Sequence, residues 1–175
     1  MSLKELTQER HALAENTAFM RSVFAGTMRP DTWTDYTYQK FQWYYAIEDQ
    51  AGKMGLLDQL PGIARAHLIR DDFYDMISGS QDTYFFRPIT GEYVQYINGL
   101  DDAKRVLAHL YTWHMGDMFG GQMIKKLIDA PHRHLDFDNV QTLMMTMRGM
   151  LSDDMADEAN VAFDWAIRIL REYDC

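Results

Sequence analysis

Asp117 stands among glycines. The run Trp113-His114-Met115-Gly116-Asp117-Met118-Phe119-Gly120-Gly121-Gln122 lies inside a stretch whose apolar spacing predicts one long helix. Three glycines in a helix interior cost roughly 1 kcal/mol each relative to alanine, so their presence needs a reason. Gly116 and Gly120 fall one turn apart, as do Asp117 and Gly121. One face is therefore stripped of side chains while a single carboxylate stands beside bare backbone. That surface suits a large flat ligand pressed against a bent helix, with Asp117 poised over it. Close helix-to-helix packing explains the glycines but not the carboxylate among them.

A second pair lies near the start of the chain. His11 and Glu15 are four residues apart and share a helix face. An imidazole that ligates a metal usually donates its other N–H to an outer acceptor, and Glu15 is placed to supply one. On spacing alone, a solvated surface pair is the commoner outcome. A di-iron bundle would need inward glutamates and Glu-x-x-His motifs, and the chain has no such motif.

The elements that must carry these residues read as helices. The chain has 175 residues, enough for one domain with a sizeable core, and nearly half are hydrophobic. The period-two alternation of strands is missing, which predicts an all-α, single-domain bundle over residues 1–175. Ser2 and Glu5 form a capping box for a first helix that Gly26 would stop. Pro30-Asp31 opens a second through about Gln50, carrying Trp33, Tyr36, Phe41, Trp43, Tyr44, Tyr45 and Ile47. A third runs from about Pro61 to Met76, and Thr90 is placed to cap a short one holding Tyr93, Val94 and Ile97. Asp101 would cap the glycine-bearing helix, which is expected to end near Ala130-Pro131. Two more are expected from about Asp138 to Leu151 and, capped by Ser152, from there to Tyr173.

Charge and cysteine content exclude several function classes. A formal charge of −9 argues against nucleic acid, because phosphate binding needs a cationic face. No apolar run is long enough to span a bilayer, and Met1-Ser2-Leu3-Lys4-Glu5 lacks the layout of a signal peptide. The sole cysteine, Cys175, permits neither an intramolecular disulfide nor a cysteine metal site. A reducing cytoplasm is the expected location. His132 and His134 in Pro131-His132-Arg133-His134 lack a completing carboxylate cluster in the sequence and read as a solvated loop.

His11-Ala12-Leu13-Ala14-Glu15-Asn16-Thr17-Ala18-Phe19-Met20 resembles the proximal-helix motif of heme oxygenases. Gly116-Asp117-Met118-Phe119-Gly120-Gly121-Gln122 resembles that family's distal-helix motif, followed by the similar Lys125-Lys126. Phe41 to Glu48 and Glu158 to Phe163 resemble its tyrosine-rich second helix and the start of its last helix. The matches occur in family order and cover most of the chain.

The resemblance implies heme b as both cofactor and substrate, held between the first helix and the glycine-kinked one. His11 would be the axial iron ligand and Glu15 its hydrogen-bond partner. Gly116, Gly120 and Gly121 would leave room for O₂ at the iron, and Asp117 would hold a water that delivers a proton to iron-bound peroxide. Tyr44 and Tyr93 match tyrosines that support the distal water network. Lys4, Tyr111 and Arg148 are the candidates for the heme propionates, while Met20 and Phe163 would contact the macrocycle. The products would be biliverdin (the IXα isomer expected), CO and ferrous iron. A ferredoxin is the implied electron donor, Lys125-Lys126 a candidate docking point for it, and a bilin reductase a possible downstream partner. The small size and shortened stretch between Arg148 and Phe163 point towards the phage or cyanobacterial type.

Three departures matter. Many members carry Arg-Tyr-Leu where this chain has Trp113-His114-Met115, a Ser that often precedes the Gly-Gly pair is Phe119, and a common Asn is Ala166. The distal network is thus expected to be rebuilt, with His114 either a replacement donor or, slightly favoured, a surface residue. A heme carrier or sensor without turnover is the alternative. A thiaminase-like enzyme would need a pocket cysteine, for which Cys175 is poorly placed.

Overall fold

Ser2 Oγ accepts the Glu5 amide at 3.4 Å and the Glu5 carboxylate accepts the Ser2 amide at 2.6 Å, a capping box that opens α1, Leu3–Glu15. The computed structural model describes residues 1–174, and Cys175 lies outside the described residues. The expected single first helix is broken at Asn16-Thr17. Thr17 turns extended and caps a separate α2, Ala18–Phe24, its hydroxyl accepting the Met20 amide at 3.3 Å.

The spine is α3, Pro30–Lys53, with Pro30 at the first turn, where its missing N–H costs nothing. Trp33, Tyr36, Trp43, Tyr44 and Ile47 are buried along it, so this helix is wrapped rather than half-exposed. The short α4, Leu56–Gln59, follows, and then α5, Ala66–Met76, starts five residues later than Pro61. Glu48 decides that start. Its carboxylate accepts the amides of Arg65 and Ala66 (Ala66 to Oε2 2.8 Å), so a side chain of α3 caps α5. Next is α6, Pro88–Asn98. Thr90 lies inside it instead of capping it, donating to Gln39 Oε1 at 2.8 Å.

Asp102, not Asp101, caps α7, Ala103–Leu110, accepting the Lys104 amide at 2.8 Å. The expected continuous helix then widens into a π-helical turn over Tyr111–Met115. It resumes as α8, Gly116–Phe119, and α9, Gly121–Leu127, ending three residues short of Ala130. Asn139, with φ of 52°, precedes α10, Val140–Met150. Ser152 does not cap the last helix. Its hydroxyl turns to Asp154, a 3-10 turn intervenes at Asp153–Met155, and α11 spans Ala156–Arg171.

The arrangement is all-helical. Helices α5 and α6 pack on α3, while α11 packs on α1 and α7. The π turn follows α7, sits against α11 and packs on α3 through Trp113, whose ring lies 4.9 Å from that of Trp43. No helix of the described residues is long and apolar enough to cross a membrane.

Candidate active site

A cleft of about 860 Å³ opens between α1 on one side and the π turn and α8 on the other. That volume falls in the upper part of the about 300–1,000 Å³ typical of ligand pockets. Lys4, His11, Glu15, Met20, Tyr111, Gly116, Asp117, Gly120, Arg148 and Phe163 all line it. Residues far apart in sequence thus converge on one cleft.

On the α1 wall, His11 is exposed and meets Phe163 edge-on at 5.7 Å. Its Nε2 lies 3.4 Å from Glu15 Oε1, and Nδ1 makes no hydrogen bond among the described residues. One ring nitrogen is therefore turned towards a carboxylate while the other has no protein partner among the described residues. Lys4 and Arg148 are exposed cations lining the same cleft on α1 and α10.

The opposite wall is built around Asp117, which is 8% exposed. Tyr44 donates to Oδ2 at 2.6 Å and Lys40 Nζ lies 3.0 Å from Oδ1. Lys40 and Tyr44 are one turn apart on α3, so a single helix face clamps both carboxylate oxygens. Burial first, and then the Asp117 charge, hold the Tyr36 and Tyr44 hydroxyls well above the ordinary phenol range, so both remain protonated donors. Gly116 is exposed to the cleft, and a Cβ there would meet nothing within 4 Å. Gly120 also lines the cleft.

Three expected site residues are absent from the lining. Tyr93 is buried behind the wall, its hydroxyl 2.6 Å from His109 Nδ1 and accepting Trp113 Nε1–H at 2.9 Å. It touches the cleft only through Trp113. Gly121 is a packing glycine, since a Cβ there would sit 2.8 Å from Leu135 Cδ2. Tyr44 is absent from the lining as well but reaches it through Asp117.

His114 is not on the surface. It is 0% exposed, its ring tilted 33° against the Tyr44 ring at 4.5 Å, with Nε2 3.3 Å from Glu48 Oε1 and Nδ1 buried without a partner. It packs onto α3. His134 is likewise buried, not solvated. Its backbone amide and Nδ1 both meet Asp72 Oδ2, at 3.1 and 2.7 Å, which anchors the loop to α5. Burial foremost, with the Lys40 charge next, lowers the His134 pKa below the usual imidazole value. Phe119 is half exposed and lines the cleft where a smaller polar residue was the family pattern.

Lys40 escaped the sequence reading. A lysine among Trp33, Tyr36, Trp43 and Tyr44 on the buried stripe of α3 was the available signal, because an ammonium there requires a partner.

The heme oxygenase family model matches residues 1–154. The chain belongs to the heme oxygenase family. Curated relatives include heme oxygenase 2 of Mus musculus, 24% identical over 205 residues covering 98% of this chain, and heme oxygenase of Guillardia theta, 26% identical over 99% of it. The chain spans 64% of the length of the Mus musculus relative and 85% of the Guillardia theta one. Heme oxygenase-1 of the cyanobacterium Synechocystis, solved in complex with heme, superposes with a TM-score of 0.86 at 20% identity, covering 98% of this chain and 90% of its own. The Leptospira interrogans heme oxygenase gives 0.85 at 21%, covering 98% of this chain and all of its own. These likenesses establish a heme-oxygenase fold.

Proposed function

We propose that this chain, as one domain, binds heme b and opens its ring to biliverdin, CO and ferrous iron, with O₂ and electrons from a ferredoxin. The observation that carries the reading is the cleft itself, with an available imidazole on one wall and a clamped carboxylate on the other. When bound, heme supplies the iron that activates O₂ and the macrocycle that is opened.

The protein's own groups divide the remaining work. His11 would ligate the iron from the α1 side, with Glu15 orienting its ring and raising its basicity. Lys4 and Arg148, joined by the Tyr111 hydroxyl, would take the two propionates, drawing them against an overall charge of −9. Met20 and Phe163 would cover the ring. Gly116 and Gly120 would let backbone approach where a side chain would block the ligand.

Asp117 is the acid-side organiser. An ionised carboxylate has about four lone-pair sites, and Lys40 and Tyr44 occupy two. The remainder can accept O–H from a cleft water, holding it where it can pass a proton towards the open face of the ring. Tyr93 acts behind the wall by fixing the Trp113 indole.

Mixing the protein with hemin and then a reduced ferredoxin tests this. The expected result is an imidazole-type complex whose Soret band decays to a bilin, identified against biliverdin isomer standards. A non-catalytic carrier is the second reading, favoured by the Lys40 clamp on Asp117, and it predicts a stable Soret band. No hemin complex at all would overturn both.

A further inference from the structure

Lys40 is 4% exposed, yet it lines the cleft. Its Nζ bonds Asp117 Oδ1 at 3.0 Å and lies 5.1 Å from the centre of the Tyr44 ring. An ammonium has three donors, and Asp117 takes one. No second acceptor reaches Nζ among the described residues, which leaves two N–H bonds beside the cleft. Around the pair stand Tyr36 and Tyr44, which stay neutral, and His134, which burial and this same ammonium hold towards its neutral form. Farther off, the Arg65 charge faces the Glu48 carboxylate as well as Asp117, and no hydrogen bond joins it to Asp117 among the described residues. Lys40 is therefore the cation that balances Asp117 from inside the wall. The residue one turn before Asp117 on its own helix is Trp113, which is uncharged.

We propose that Lys40 is a positioning residue of the cleft: it fixes the Asp117 carboxylate and sets the local charge felt by an oxygen or anion bound on that side of the ring. This rests on the heme-cleft reading. With the pair intact, the wall is neutral overall and offers N–H donors. Without Lys40, the uncompensated Asp117 charge repels an anion at the iron; without Asp117, the free ammonium attracts one. A side chain that merely fills space would give no such reversal of sign.

The test uses the ferric hemin complex, with azide affinity and the midpoint of the acid-to-alkaline spectral transition as readouts. Lys40→Met should weaken azide about tenfold and raise the midpoint by about one pH unit, as expected for removing one nearby charge at partial burial. Asp117→Asn should shift both in the opposite direction, and Lys40→Arg should return both close to the unaltered protein. If Lys40→Met fails to fold, Asp117→Asn alone decides, because tighter azide supports the proposal and unchanged or weaker azide overturns it. Equal azide affinity in folded Lys40→Met and the unaltered protein would also overturn it. Failure of the unaltered protein to form an imidazole-ligated hemin complex would instead remove the cleft reading beneath it.

Discussion

The Tyr44 hydroxyl donates to Asp117 Oδ2 at 2.6 Å, tying the spine helix to the short helix that follows the wide turn. Both partners are buried, Tyr44 completely. Tyr44→Phe should destabilise the fold by about 1–3 kcal/mol, the cost of leaving a buried acceptor short of a donor. Urea denaturation of the ligand-free protein measures it, and an unchanged midpoint would show that Asp117 finds another donor.

His11→Ala removes the candidate axial ligand from an exposed position on α1, with little packing to lose. Helical circular dichroism should stay unchanged while the imidazole-type spectrum of the hemin complex disappears. Addition of free imidazole should restore it. Persistence of the original spectrum would assign the ligand to another residue.

Gly116 and Gly121 make a contrasting pair. A leucine at Gly116 should fold but lower hemin affinity, since the position opens into the cleft with nothing within 4 Å of a Cβ. Gly121→Ala should leave affinity nearly intact and cost about 1 kcal/mol or more, because its Cβ would overlap Leu135 in a filled site. Hemin titration beside thermal melting separates the two effects.

The rim cations can be tested with the ligand's own chemistry. Lys4→Ala combined with Arg148→Ala should weaken hemin but leave the affinity for heme dimethyl ester unchanged, since esterification removes the propionate charges. Equal weakening of both ligands would mean that the two residues serve packing.

Acid stability has a specific source in Glu158. Burial alone would raise its pKa, but hydrogen bonds from His109 and Tyr96 and the Arg105 charge overcome this and hold it at about 2. A carboxylate depressed in the folded state stabilises fully above its unfolded value, and that contribution is lost as pH falls from about 4.5 towards about 2. The melting temperature of Glu158→Gln should therefore lie below that of the unaltered protein at pH 7, with the gap narrowing below pH 4.5. A constant gap down to pH 3 would exclude this residue as the origin.

Much of the site was readable in the chain because it rests on local rules. A glycine pair at helical spacing, a carboxylate between them and a His/Glu pair one turn apart need no tertiary knowledge to be picked out. Pro30 and Ser2 likewise announced their helix starts. What was not readable depends on pairings across the bundle. Lys40 meets Asp117 across 77 residues, and Glu48 caps α5 from another helix, so neither partner is implied by its neighbours. His114 was misplaced for a related reason. It falls one turn from the buried Leu110 and Met118, so helical spacing alone puts it inward, but its partners Tyr44 and Glu48 lie on α3 and its own neighbours imply neither.

That wide turn has a consequence for how this sequence can vary. A π turn takes up one residue more than the α-helical count, so excising one residue between Tyr111 and Met115 would let the segment wind as ordinary α-helix with the helix beyond it kept in phase. Asp117 would stay beside Tyr44 and Lys40, while the wall facing the cleft would lose its bulge. One residue of length, in this segment, is slack that the turn absorbs.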